Sequence, residues 1–206
     1  MTHGKHKVFI SYHHDNDQTY KEHLLQTNEA HKLFIDASVD TGDIDDNLED
    51  DAIRQKIRDE YLKDSTVTIV LVGLETKKRK HVDWEIYSSM FNGKVNKQSG
   101  VLIINLPSTS CTWYTAAHGE DEKRIVYPEN TSWTSITSRD EYERRYPYIP
   151  ARIIDNLLKN EAKVSVTNWS NIAGDVEKLR FLINATYDDR TKCQYDLSQP
   201  MRRADS

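Results

Sequence analysis

Glu85 lies in the segment DSTVTIVLVGLETKKRKHVDWEIYSSM (64–90). Here an apolar run, Thr66 to Val72, is followed by a basic loop, Glu75 to Lys80, and by a helix that opens near His81. The run is too rich in β-branched residues for a helix and reads as a buried strand. A carboxylate just beyond the carboxyl end of such a strand sits where open α/β sheets bind ligands. Val82, Ile86, Ser89 and Met90 form the core stripe of the helix, with Glu85 on its margin. That placement suits a partly dehydrated carboxylate open to a crevice, and the helix N-terminus favours its ionised form. The alternative is an ordinary helix-surface acid.

Other candidates surround it in the chain. Asp83 points elsewhere on the helix and reads as a first-turn acid. His13 and His14 are adjacent and have no third ligand at metal spacing, so they read as surface residues rather than a metal site. Lys77, Lys78, Arg79 and Lys80 are suited to attracting a phosphate or to forming a flexible basic loop. Thr76 is a possible hydroxyl contributor to the crevice. Trp113, Trp133 and Trp169 fit core or lid packing better than a stacking platform.

The elements that position these residues follow from hydrophobic patterning. Lys7 to Tyr12 (KVFISY) reads as a first strand buried on both faces, and Asp15 or Asp17 as the cap of a helix reaching about Asn28. Lys32 to Asp36 reads as a second strand, followed by an acidic loop, Ala37 to Asp50, carrying Asp40, Asp43, Asp45, Asp46, Glu49 and Asp50. A helix from about Asp51 to Leu62 precedes the third strand, and Gly100 to Leu106 is the fourth. From Pro107 to Tyr148 periodicity fails; a stretch of that length is functional or conceals further elements. Ile149 to Asn160 reads as helix, Lys163 to Thr167 as a fifth strand, and Asn171 to about Thr186 as a closing helix. The tail, 190–206, is polar and expected to be loosely held.

Alternating strands and helices imply right-handed crossovers and a parallel sheet. The predicted fold is α/β: a flavodoxin-like five-stranded sheet, order 2-1-3-4-5, helices on both faces and a long insertion before the last strand. The ligand crevice would then lie beyond strands 1 and 3. One domain is predicted over residues 1–189, with the insertion at about 107–148.

Several functions that such sheets carry are excluded. Rossmann and P-loop sites need clustered glycines, whereas the glycines at 4, 42, 73, 93, 100, 119 and 174 never cluster. A flavodoxin phosphate loop calls for Thr, Ser and Gly after strand 1, where this chain has His13-His14-Asp15-Asn16-Asp17. A receiver domain needs an aspartate ending strand 3 and a lysine ending strand 5; those ends read Leu71-Val72-Gly73 and Val166-Thr167-Asn168. A net charge of −5 over 206 residues argues against a general nucleic-acid binder. Cys111 and Cys193 form no metal-ligand spacing, and a reduced intracellular protein is the simplest reading, one disulfide being the alternative. The N-terminus lacks the apolar core of a signal peptide, and no segment approaches the ~20 apolar residues of a spanning helix. The expectation is a soluble, cytoplasmic protein with neither nucleic-acid nor membrane partner.

KVFISY followed by a polar, Asp-containing loop resembles the opening box of TIR domains. STVTIVLVGLET with VDWEI resembles the third strand and catalytic-glutamate helix of the TIR-like branch found in bacterial antiphage systems of the Thoeris type. The order of elements agrees from Lys7 to about Leu106, and the stretch from Lys163 to Thr186 fits less tightly. The resemblance implies a TIR-like enzyme that cleaves the nicotinamide–ribose bond of NAD and makes a cyclic ADP-ribose isomer that activates a partner effector. NAD is then a substrate, and no cofactor or metal is implied.

Glu85 matches the family's catalytic glutamate. Ser11, Tyr12, His13, Asp36, Thr76 and Trp84 are the substrate-binding candidates, although Ser11 and Tyr12 equally well simply end strand 1. The acidic loop resembles one that gates substrate and mediates assembly; a solvated charge run is the alternative reading. Many enzymatic TIR domains have Trp four residues before the glutamate, where this chain has His81, and Trp84 stands beside Glu85 instead. A phage-derived trigger and homo-oligomerisation on activation are also implied. The competing class is a non-enzymatic TIR module that works by self-association.

The chemistry suits a lone carboxylate. Ordinary glycosidases need two, one to protonate a poor leaving group. Nicotinamide leaves NAD as a neutral molecule from a cationic pyridinium, so no acid is required. Negative charge near the ribose as it becomes oxocarbenium-like is what helps. Cyclisation further requires that water be excluded and an internal nucleophile be held near C1.

Overall fold

Residues 4–38, 48–62 and 64–205 are described by a computed structural model. Five parallel strands form one sheet in the order β2-β1-β3-β4-β5, as the alternation predicts. They are β1 (Lys7–Ser11), β2 (Ile35–Asp36), β3 (Val67–Val72), β4 (Gly100–Asn105) and β5 (Ser165–Asn168). β3 and β4 are buried along their whole length, which is why their sequences are continuous apolar runs rather than alternating ones.

Side chains alternate across the sheet. Val8, Ile10, Ile69, Leu71, Leu102 and Ile104 pack on one face with Leu24 of α1 (His14–His31) and Leu182 and Ile183 of α8 (Val176–Asp189). Val70, Val72, Val101 and Ile103 pack on the other with Val82, Ile86 and Met90 of α3 (Lys80–Met90) and with α6 (Ala151–Leu157). A smaller cluster joins Phe9 and Trp84 to Ile53 of α2 (Asp50–Lys56) and to Ile57 and Tyr61 of the π turn that continues it, Ile57–Tyr61. Gly100 opens β4 where α8 crosses it: a Cβ there would lie 2.3 Å from the Thr186 carbonyl oxygen.

The differences from the predicted elements are local. α1 begins at His14 with His13 as its cap, not Asp15 or Asp17, and runs to His31 before Lys32 turns left-handed (φ 53°). β2 therefore keeps two residues of the five predicted. The stretch 107–148 contains two seven-residue helices, α4 (Glu120–Val126) and α5 (Arg139–Arg145). The closing helix is broken at Gly174 (φ 91°) into α7 (Trp169–Ile172) and α8. Asp40, Asp43, Asp45 and Asp46 lie outside the described residues.

The tail is not loosely held. Met201 is buried against Trp84, and the Trp84 indole N–H donates to the Arg202 carbonyl at 2.7 Å. Arg152 donates to the Gln199 and Pro200 carbonyls. The Asp205 carboxylate accepts from the Lys80 amide at 2.8 Å, satisfying a donor at the start of α3. No described helix is long and apolar enough to cross a membrane.

Candidate functional site

Ser11 is the last residue of β1, on the face that α3 covers, and Glu85 is in the second turn of α3. The Ser11 hydroxyl donates to Glu85 Oε2 at 2.6 Å, across 74 residues of sequence. Glu85 is 4% exposed. Burial pushes its carboxyl up to about 7; the Ser11 hydrogen bond and the charge of Lys21, on α1, oppose the shift. A buried carboxylate with one protein donor among the described residues is held close to the point where it gains or loses its proton at neutral pH.

A second buried acid, Asp17, comes from the first turn of α1. It fills the space where a side chain on Gly73 would lie: a Cβ there would stand 2.4 Å from its Oδ2. Asp17 is 3% exposed, and Oδ2 has no hydrogen-bond partner among the described residues. Burial raises its carboxyl to about 6, with the Thr76 hydroxyl opposing. Thr76 is fully buried and its Oγ1 accepts from the Gly73 amide at 2.8 Å, so its hydroxyl locks the turn after β3 beside Asp17. From the sequence Asp17 is only a candidate cap, because nothing local reveals that the turn after β3 folds over it.

The remaining candidates separate. His13 is buried and caps α1, its Nδ1 accepting from the Asn16 amide at 3.2 Å, which corrects its reading as a surface residue. Burial and the nearby Arg79 guanidinium hold its pKa below the ordinary value, so it is neutral at pH 7. The Tyr12 hydroxyl donates to Gln18, and its ring stacks on His14 at 4.4 Å. Lys21 Nζ donates to the same hydroxyl at 3.4 Å, linking Tyr12 to a cation that acts on Glu85. Asp36 is exposed on the edge strand and accepts from the Ser38 amide at 2.9 Å.

Trp84 requires a correction. Although adjacent to Glu85 in sequence, it is wholly buried in the Phe9–Met201 cluster and tied to the tail, so it is a core residue rather than a wall of the crevice. The basic loop is likewise engaged with protein. Arg79 pairs with Asp15 (3.3 Å) and Asp205 (3.0 Å), Lys78 with Glu75 (2.8 Å), and Lys77 donates to the Pro147 carbonyl. Of the tryptophans, Trp169 is buried, Trp133 packs edge-on to Tyr114 and Tyr127, and the half-exposed Trp113 lies under the Arg145 guanidinium.

Asp83 is also more than a first-turn acid. Arg152 Nε and Nη2 donate to its two oxygens at 2.9 Å each, and the Arg202 amide donates at 2.9 Å. It thereby fastens α6 and the tail to α3.

Comparison with curated proteins gives no match. A protein-family model, Thoeris protein ThsB, TIR-like domain, matches residues 9–110. The matched stretch contains Ser11, Tyr12, His13, Asp36, Thr76, Trp84 and Glu85, and also Asp17 and Gly73. With a five-stranded parallel sheet in the order 2-1-3-4-5, to which the matched stretch contributes four strands, residues 9–110 form a TIR-like domain of the kind found in the Thoeris protein ThsB.

Proposed function

We propose that this protein consumes NAD in antiphage defence, cleaving the nicotinamide–ribose bond at Glu85 and closing the ADP-ribose into a cyclic signal for a partner effector. The observation that carries this reading is the buried Glu85 carboxylate, held by the β1-terminal Ser11 hydroxyl at the switch point of the sheet. The family match over residues 9–110 supports the setting in defence signalling. In the ionised form Glu85 faces the anomeric carbon as positive charge develops and stabilises the oxocarbenium-like state. Nicotinamide departs with the bonding electron pair as a neutral molecule. Ser11 orients the carboxylate, and Lys21 favours its charged form. A nucleophilic hydroxyl or ring nitrogen of the same ADP-ribose then bonds to C1 and releases a proton.

The test is mass spectrometry of NAD incubated with wild type and Glu85→Gln, with and without lysate from infected cells. A nucleotide product from the wild type and none from the variant is the expected result. Equal product from both overturns the assignment of Glu85. No product in either condition, with defence retained by Glu85→Gln in cells, would instead favour a non-enzymatic module acting by self-association.

A further inference from the structure

The other end of α3 borders a cavity remote in the fold from Glu85. The helix ends at Met90, and the segment from Phe91 to Ser99 leads into the amino end of β4, whereas Glu85 meets the carboxyl end of β1. Between this segment and the π turn after α2 lies a cavity of about 570 Å³, with Arg54, Arg58, Asp59, Phe91, Lys94 and Asn96 in its wall. Arg58 is 6% exposed and forms no ion pair with a carboxylate among the described residues. Among the described residues its guanidinium donates only to neutral acceptors, the Lys97 carbonyl and Ser99 Oγ (3.3 Å), and its Nε has no partner. The Asp59 and Asp64 charges favour the guanidinium, yet burial outweighs them, and a buried cation without a directly bonded carboxylate gains from an added anion.

The rest of the wall completes the chemistry. The Arg54 guanidinium lies 3.9 Å above the centre of the Phe91 ring, and the carboxylate it pairs with, Asp51, is 90% exposed. The stacked pair offers a flat cationic face to a planar group. Arg54, Arg58 and Lys94 outnumber Asp59, whose carboxylate accepts from Asn96 Nδ2 at 2.8 Å, so the cavity is basic in a chain of net charge −5. Its volume falls in the range of small-ligand sites. Arg58 sits in a π turn closed by the Leu62 amide on the Ile57 carbonyl (2.9 Å), a rare conformation that is frequent at functional sites.

We propose that this cavity binds a nucleoside monophosphate, with the phosphate against Arg58 and Lys94 and the base on the Arg54–Phe91 stack. The site stands apart from Glu85, so its failure would leave the assignment of Glu85 untouched. The test is a titration of ¹⁵N-labelled wild-type protein with AMP, with adenosine and inorganic phosphate as partial probes. Saturable amide shifts at Gly93, Lys94 and Asn96 are expected with AMP, with weaker effects from either part. Arg54→Gln, at a partly exposed position, and Arg58→Met should each weaken AMP by roughly tenfold or more. Should Arg58→Met fail to fold, Arg54→Gln alone decides. The proposal is overturned by no saturable shift at millimolar AMP, by unchanged affinity in the folded variants, or by shifts confined to the Ser11–Thr76 region.

Discussion

Asp83 and Glu85 are two residues apart on one helix and have opposite surroundings. Asp83 receives both arms of the Arg152 fork and a backbone amide, so each of its oxygens has a donor. Glu85 is more deeply buried and receives one hydroxyl. An acid with a donor on each oxygen and a buried cation as partner serves as a fastener; one with a single donor is held ready for a reacting partner. Glu122 qualifies the lesson. It too is buried and raised in pKa, and it accepts from Ser165 Oγ at 2.9 Å and from the His118 amide at 2.8 Å. It sits by β5 at the sheet edge, however, away from the β1–β3 switch point. Burial of an acid is therefore informative only together with its place on the sheet.

Exchanging the carboxylates for amides should separate the two roles. Glu85→Gln is expected to lower NAD product formation roughly a hundredfold or more, measured by mass spectrometry, while urea denaturation at pH 8 shows stability kept or increased. Asp83→Asn should do the reverse: it leaves the Arg152 guanidinium buried with a weakened partner and costs about 3 kcal/mol in urea denaturation. Its remaining folded fraction should retain product formation. If Asp83→Asn abolished turnover without loss of stability, the division between fastener and reactive acid would fail.

Gly73→Ala probes the neighbouring acid. The new methyl would collide with the Asp17 carboxylate, for an expected loss of about 2 kcal/mol. Adding Asp17→Ala should recover most of that loss, and a double variant no more stable than the single one would show that Asp17 is not the obstacle.

The pH dependence follows from the direction of the shifts. Burial raises Asp17 from an ordinary 3.8 to about 6 and Glu85 from 4.5 to about 7. Folding thus favours the protonated forms: their contribution is complete below the unfolded values and is lost as pH rises through the folded ones. Asp17→Asn should flatten the stability profile between those limits, with a gain of about 1–2 kcal/mol at pH 8, discounted for solvent screening. A profile parallel to wild type in thermal or urea melts would contradict it. The smallest expected effect is that of Ser11→Ala. Loss of the hydroxyl destabilises the charged carboxylate, so the rising limb of kcat against pH should move to higher pH. An unmoved limb would mean that Ser11 does not tune Glu85.

The sequence by itself determined the sheet and the position of its acid. β3 and β4 are continuous apolar runs because both faces of a central parallel strand are buried, and their alternation with helices permits few topologies. α4 and α5 stayed hidden because seven-residue helices such as EDEKRIV and RDEYERR bury one apolar residue each, Val126 and Tyr142, too few to show a period. Tertiary structure alone decided which acid receives three donors and which receives one. Ser11 meets Glu85 across 74 residues, Arg152 meets Asp83 across 69, and Arg202 meets it across 119. Trp84 became core rather than crevice because the tail folds back over it. Hydrophobic periodicity is a local property of the chain, whereas desolvation and donor supply depend on what distant segments bring to the same place.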